Sequence, residues 1–299
     1  MGGATTGPIL VLGAGGQVGG ATLAALRCAG LQALGLDRSQ LDIADTTRVE
    51  ETIERVRPSV VINAAAYTAV DRAEVDADAA FAINGRAPGV IARATQRTGA
   101  ALIHLSTDYV FDGEKGGPYV EEDPVAPLSV YGESKLAGEQ AILRVGGRGL
   151  VLRTSWLLSP YGGFARAILN RARAGEPLRV VSDQIGRPTM TADLAQTLAL
   201  ILQARQLAEP AKIYHYAGSE DATWFDVALE LIEAYAQKSG RKAPPLTAID
   251  SAAWGALACR PRDSRLDSAR FASDFDLKGR DWRGAVSGLV EAWSQGTSE

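Results

Sequence analysis

A doubly wound α/β fold with a parallel central sheet and a smaller second α/β domain is predicted by three observations. Short apolar runs alternate with helical stretches through the first half of the chain, the first run stops in a glycine turn, and the alternation breaks after residue 156. With 299 residues and 46% hydrophobic content, the chain is long enough to bury a core in each part.

Pro8-Ile9-Leu10-Val11-Leu12 reads as the first strand, Gly13-Ala14-Gly15-Gly16-Gln17-Val18-Gly19-Gly20 as the turn, and Thr22 to Ala29 as the helix after it. The glycines fit G-x-x-G-x-x-G at Gly13, Gly16 and Gly19, whereas the G-x-G-x-x-G form fails because Val18 occupies the place of its last glycine. A glycine turn opening a helix offers unpaired N–H groups and a positive dipole end to a pyrophosphate. Gly13, Gly16, Gln17, Val18 and Gly19 are therefore the candidate cradle of a dinucleotide, and the domain reads as Rossmann-like.

Leu31 to Leu36, the second strand, ends in Asp37-Arg38, where an acidic residue meets the adenosine ribose hydroxyls. Asp37 favours NADH, while Arg38 can bind a 2′-phosphate or stack on adenine, so NADPH stays open. Asp42 and Ile43 are candidates to flank the adenine, with Asp42 also able to cap the helix that runs toward Arg57. The third strand, Val60 to Tyr67, closes in Ala64, Ala65 and Ala66, small enough to admit a flat cofactor. A long helix is expected from about Val70 within Thr68 to Ile83, and another from Asn84 to Thr98, interrupted by Pro88. Ala101 to Asp108 is the fourth strand; His104 inside it reads as a packed core histidine. Tyr109 to Pro124, rich in Gly, Pro and acids, reads as a rim or lid.

The chemistry sits in Ser129 to Glu139. Tyr131 and Lys135 are four apart, which on a helix puts both on one face. An ammonium beside a phenol lowers its pKa, making it able to exchange a proton with a carbonyl under reduction. Thr107, ending the neighbouring strand, can hydrogen-bond the same substrate oxygen. Leu150 to Trp156 is the fifth strand. Beyond it, Ala192 to Ala204 and Trp224 to Gln237 are amphipathic helices, and Arg187, Arg260, Arg262 and Arg265 suit an anionic substrate such as a diphosphate. The division expected is a dinucleotide-binding domain over 1–156 and a mainly substrate-binding domain over 157–299, with the chain free to cross between them.

A formal charge of −4 provides no field for nucleic acid or an anionic membrane surface. Cys28 and Cys259, the only cysteines, read as packing residues of a protein in a reducing compartment. Met1 to Pro8 lacks a basic targeting region and no apolar run reaches membrane-spanning length, so a soluble, cytoplasmic protein is expected.

Several stretches are narrower than the general fold. Gly16 to Gly19, Asn63 to Asp71, Ser106 to Gly113, Val130 to Glu139, Arg153 to Trp156, Asp183 to Thr189 and Arg260 to Leu266 resemble the dTDP-4-dehydrorhamnose reductase family of extended short-chain dehydrogenases. That resemblance implies NAD(P)H-dependent reduction of the 4-keto group of dTDP-6-deoxy-L-lyxo-4-hexulose, the last step of dTDP-L-rhamnose synthesis. It makes Tyr131 the proton donor, Lys135 its partner and ribose anchor, and Thr107 the adjacent hydroxyl. It sets Asp108 and Trp156 against the sugar and the Arg260 to Arg265 segment at the nucleotide diphosphate. Some family members pair through a metal bridged by glutamates, and Gly20-Ala21 and Met190-Thr191-Ala192 offer none, which implies a monomer or a metal-independent homodimer with no metal site. A nucleotide-sugar epimerase shares the fold and the Tyr/Lys pair; a dehydratase would need an Asp-Glu pair where Thr107-Asp108 stands. Intact Thr107, Tyr131 and Lys135 argue against a non-catalytic regulatory relative.

Overall fold

The apolar runs of the first half become the middle of one parallel sheet. A computed structural model describes residues 7–204, 207 and 210–296, so most of the Met1 to Pro8 segment lies outside the described residues. The first half forms β1 (Ile9–Leu12), α1 (Gln17–Cys28), β2 (Ala33–Leu36), α2 (Thr46–Val56), β3 (Val60–Asn63), α3 (Val70–Ala73), α4 (Ala77–Ala80), α5 (Ala87–Thr98), β4 (Ala101–Thr107), α6 (Val130–Val145) and β5 (Gly149–Thr154). The rest adds β6 (Leu157–Leu158), α7 (Gly163–Ala174), β7 (Leu178–Val181), β8 (Ile185–Gly186), β9 (Thr189–Met190), α8 (Thr191–Ala204) and β10 (Lys212–His215). It ends with β11 (Ala222–Thr223), α9 (Trp224–Ser239), β12 (Leu246–Ile249), α10 (Ser251–Trp254), α11 (Ala269–Phe275) and α12 (Arg283–Gln295).

The main sheet runs β10-β5-β4-β3-β1-β2, parallel at every pairing. Its order reverses beside β1, which opens the crevice in which doubly wound folds bind ligands. Alternate side chains feed opposite faces. Ile9 and Val11 pack with Leu26 of α1, Leu194 and Leu198 of α8 and Phe271 of α11, whereas Leu10 and Leu12 pack with Ile53 of α2, Ile91 of α5 and Ile142 of α6. A second core gathers Leu169 of α7, Leu231 of α9 and Trp282, Leu289 and Trp293 around α12.

The chain crosses between the two packing units, as the expected division left it free to do: α8, β10 and α11 join the main sheet and its core. Four expectations are corrected. Helix α1 begins at Gln17 rather than Thr22, directly on the glycine turn. Cys28 and Cys259 are exposed, not packed. Helix α2 is capped by Asp45, whose side chain accepts from Arg48 N, while Asp42 instead accepts from Ala44 N.

The long helix expected within 68–83 is broken after α3, and the chain then runs continuously helical from α4 through a π-helical stretch, Phe81–Arg86, into α5. Pro88 explains the widened register: a proline lacks an N–H and its ring excludes the carbonyl four residues back, here Asn84 O. That carbonyl packs against Gly138, where a Cβ would come within 2.1 Å of it, so α6 lies tight against the π turn. Asn84 Nδ2 also donates to Ser134 Oγ (3.0 Å), fixing the helix that carries Tyr131 and Lys135.

Candidate active site

Two adjoining cavities meet at Thr68. The first, about 630 Å³, lies over the C-terminal ends of the sheet strands and is walled by the glycine turn, Asp37 to Asp42, Ala64 to Ala66, Tyr131 and Lys135. Each glycine contributes differently. Gly13 adopts φ +78°, and a Cβ there would stand 2.7 Å from the Ala65 backbone. Gly19 is outside the wall; its missing Cβ lets α1 close on Gly13 O, which it would otherwise approach to 2.1 Å. Gly16 precedes α1 with no side-chain cap, so the first N–H groups of the helix, from Gln17 and Val18 onward, face the cavity mouth without intrahelical acceptors.

Asp37 Oδ1 accepts from Ser39 N (2.8 Å), Ser39 Oγ (2.6 Å) and Gln40 N (3.1 Å), bonds that hold its carboxyl below the usual range, the Ser39 hydroxyl contributing most. Arg38 is exposed and reaches Asp42 at 3.3 Å. Ile43 is buried and also lines this end. In the wall opposite, Thr154 Oγ1 is buried without a hydrogen-bond partner, as is Gln17 Oε1. A dinucleotide fits this donor set: a side-chain-free cradle at a helix start, a carboxylate at the end of β2, an alanine floor and an unpartnered hydroxyl.

Tyr131 enters on the first turn of α6, whose N-cap Ser129 accepts from Gly132 N (3.2 Å) and whose Val130 N donates to Glu74 Oε1 (2.9 Å). Desolvation pushes the phenol up to about 12, the Thr107 hydroxyl opposing and the Asp108 charge adding. Lys135, one turn on, is 2% exposed and donates to Leu105 O (2.6 Å). Burial lowers it to about 8, with Glu139 pulling the other way. The expected lowering of the Tyr131 pKa by Lys135 is thus not what this geometry displays; the ammonium is turned onto the β4 backbone. Thr107 stands beside the phenol, donating to Asp108 Oδ1 (3.1 Å). Asp108 lines neither cavity; burial raises its pKa to about 7 against the Ser264 and Thr107 hydroxyls, and its Oδ2 has no hydrogen-bond partner.

Beneath the pair, Glu139 accepts from Ser106 Oγ (2.5 Å) and from Arg153 Nη2 (2.7 Å), both side chains of the ion pair being at most 2% exposed. Arg153 Nη1 reaches His215 Nε2 (3.3 Å), and His215 Nδ1 reaches Tyr119 O (3.0 Å), tying α6, β5, β10 and the loop before α6 together.

The second cavity, about 530 Å³, has aromatic walls from Tyr109, Phe164, Trp224 and Trp254, with Arg171, Arg179 and Arg260 among them. Of the expected substrate residues only Arg260 lines it, its guanidinium 2.7 Å from Asp71. Arg265 is consumed by Asp263 (2.6 Å) and Asp221 (2.7 Å), and Arg187 by Asp221 (2.8 Å). Trp156 is 6% exposed and lines neither cavity: it stacks behind Trp224 with centroids 3.8 Å apart, at φ +47°. The sequence reading missed Trp224, Trp254, Phe164 and Tyr109. Tyr109 directly follows Thr107-Asp108 and Trp224 starts a helix with a Thr223/Asp226 capping box, which are the local signals that mark their placement.

The substrate-binding-domain model of the RmlD family matches residues 7–294. The dTDP-4-dehydrorhamnose reductase of Aggregatibacter actinomycetemcomitans is 40% identical over 286 residues, covering 94% of this chain and 97% of that one. Its Escherichia coli K12 counterpart is 38% identical over 289 residues, covering 94% and 96%. The crystal structure of the Bacillus anthracis enzyme of that name, in complex with NADP, superposes with a TM-score of 0.87 at 30% identity, covering 96% of this chain and 99% of that one.

Proposed function

Because the chain belongs to the dTDP-4-dehydrorhamnose reductase family, we propose that it reduces the 4-keto group of dTDP-6-deoxy-L-lyxo-4-hexulose to give dTDP-L-rhamnose. The observation that carries this is the adjacency of the two cavities, with Tyr131 at the wall of the first and Tyr109, its ring 5.8 Å from Tyr131, at the wall of the second. NADH or NADPH, held by the glycine turn, Asp37 or Arg38 and Ala64 to Ala66, supplies the hydride when bound.

Tyr131 keeps its proton at neutral pH and gives it to the substrate oxygen; the α6 N-terminus stabilises the phenolate that results. Thr107 orients the hydroxyls, and Lys135 positions a sugar hydroxyl of the cofactor beside the phenol. In the second cavity Trp224 and Trp254 offer faces for a pyrimidine base, and Arg171, Arg179 and Arg260 offer charge to the diphosphate. Among the described residues no helix is long and apolar enough to cross a membrane. We place the protein in the cytoplasm with its family, and infer a monomer or a metal-independent homodimer from the missing glutamates at Gly20-Ala21 and Met190-Ala192. Incubation with NADH or NADPH and the 4-keto sugar nucleotide tests the activity: loss of the nicotinamide absorbance with a rhamnose nucleotide as product supports it, and no consumption with either cofactor refutes it.

A further inference from the structure

His104, the buried histidine of β4, has a role that core packing does not explain. Asn63 and His104 are register partners across the parallel β3/β4 pairing, and the Asn63 Nδ2 lies 3.1 Å from His104 Nδ1. The amide orientation is dictated by its other end, because Ala65 N donates to Asn63 Oδ1 (3.2 Å) and a main-chain N–H can only donate. The amide nitrogen therefore faces His104, Nδ1 must accept, and the proton of the neutral imidazole is on Nε2. That Nε2–H faces Lys135 Nζ at 3.4 Å. An ammonium has donors only and finds there another donor, whereas a neutral amine can accept the bond.

We propose that Asn63 and His104 are positioning residues for Lys135: they present an N–H to Nζ, favour its neutral amine, and so bring the exchange of its proton into the enzyme's working pH range. The Leu105 carbonyl, accepting from Nζ at 2.6 Å, holds the nitrogen in place for this contact. The other groups near the lysine act in known directions. Glu139 on α6 favours the charged form, but its carboxylate is bound to Arg153 of β5 and to Ser106 of β4; Tyr131, one turn before, is neutral. His104 itself is held neutral by burial and by the lysine. The meaning of the pair for turnover rests on the catalytic reading of Lys135; the pair itself does not, and the test below needs no substrate.

The chain has two histidines, and the structure gives them opposite tautomers, since Arg153 can only donate to His215 Nε2 and so leaves the His215 proton on Nδ1. Nitrogen-15 NMR of histidine in the full-length protein distinguishes the two, and labelled lysine follows Lys135, assigned by its absence in Lys135→Met. The expected result is a neutral Nε2–H His104 beside a Nδ1–H His215 from pH 6 to 9. In Asn63→Ala the imidazole is free to turn its lone pair to the ammonium, so the Lys135 midpoint should rise at least tenfold in proton affinity, while the same change in a His104→Leu background should add nothing. A Nδ1–H His104 in the wild-type protein overturns the proposal even if the variants fail to fold. So does a Lys135 midpoint unmoved by Asn63→Ala, or an equal rise without the imidazole.

Discussion

Lys135→Met should make the protein more stable and less active, and the pH at which the gain fades identifies its cause. Burial takes Lys135 from its ordinary 10.5 to about 8, so holding its charge in the folded state costs roughly 3 kcal/mol at about 1.4 kcal/mol per tenfold. Above pH 10.5 the amine is neutral in both states and the penalty is nil. As the pH falls the unfolded chain takes up the proton first, and the penalty grows until about pH 8, below which both states are charged and it is full. Methionine conserves volume and escapes the whole term, but loses the ammonium's bond to Leu105 O and leaves that buried carbonyl unpaired, a cost of about 1 to 2 kcal/mol. A net gain of roughly 1 to 2 kcal/mol is expected at pH 7, a rise of about 2 to 3 °C in the melting midpoint for a chain of this length. By pH 10.5 it should disappear or change sign. Melts of wild type and variant across pH 7 to 10.5 read this directly. A variant less stable than wild type at pH 7, or a difference flat across that range, would refute the reasoning that the lysine is kept at the expense of stability.

Tyr131→Phe keeps the ring and loses the acid, so turnover should fall at least about 10²-fold while cofactor titration by fluorescence stays close to wild type; wild-type turnover would remove Tyr131 from the mechanism. Asp37→Ala removes a carboxylate that repels a 2′-phosphate, and the ratio of kcat/KM values should move toward NADPH; an unmoved ratio means Asp37 only ties its own turn. Glu139→Gln leaves Arg153 buried without its counter-charge and should cost on the order of 3 to 5 kcal/mol in urea unfolding. It also removes the one charge that favours the Lys135 ammonium, so the lysine midpoint should fall further.

The sheet was legible because each strand is an apolar run with a punctuated end, and the wall of the first cavity was legible because its residues come in contiguous stretches: Gly13 to Val18, Asp37 to Ile43 and Ala64 to Ala66 all follow strands in sequence order. What distance in sequence decides was not. Arg187, Arg260 and Arg265 look alike in one dimension; Asp221 and Asp263 consume two of them, and only Arg260 stays at a cavity wall, held by Asp71 from the other half of the chain. Trp156 is set against the sugar only by the family resemblance, yet Trp224 covers it, because a stack of two indoles buries the one nearer the sheet. The π turn was hidden too: Pro88 marks a break only if the carbonyl it excludes has nowhere to go, and here Gly138 gives Asn84 O a place against α6.

The electrostatics of Tyr131 and Lys135 run opposite to the simplest expectation, and they suit the role proposed for Tyr131 as the acid. A general acid must arrive with its proton, and a phenol pushed up to about 12 is fully protonated throughout the physiological range. Such an acid is weak in the resting site, so in the proposed mechanism the force that draws its proton comes from the charge developing on the substrate oxygen, assisted by the α6 N-terminus, which favours the phenolate left behind. The group that changes charge near neutrality is then the lysine, at about 8. An alkaline decline in reduction centred near that value would therefore report the loss of the Lys135 ammonium and not of the Tyr131 proton. Asn63→Ala, which the tautomer argument expects to raise the lysine, should carry that limb upward with it while leaving Tyr131 untouched.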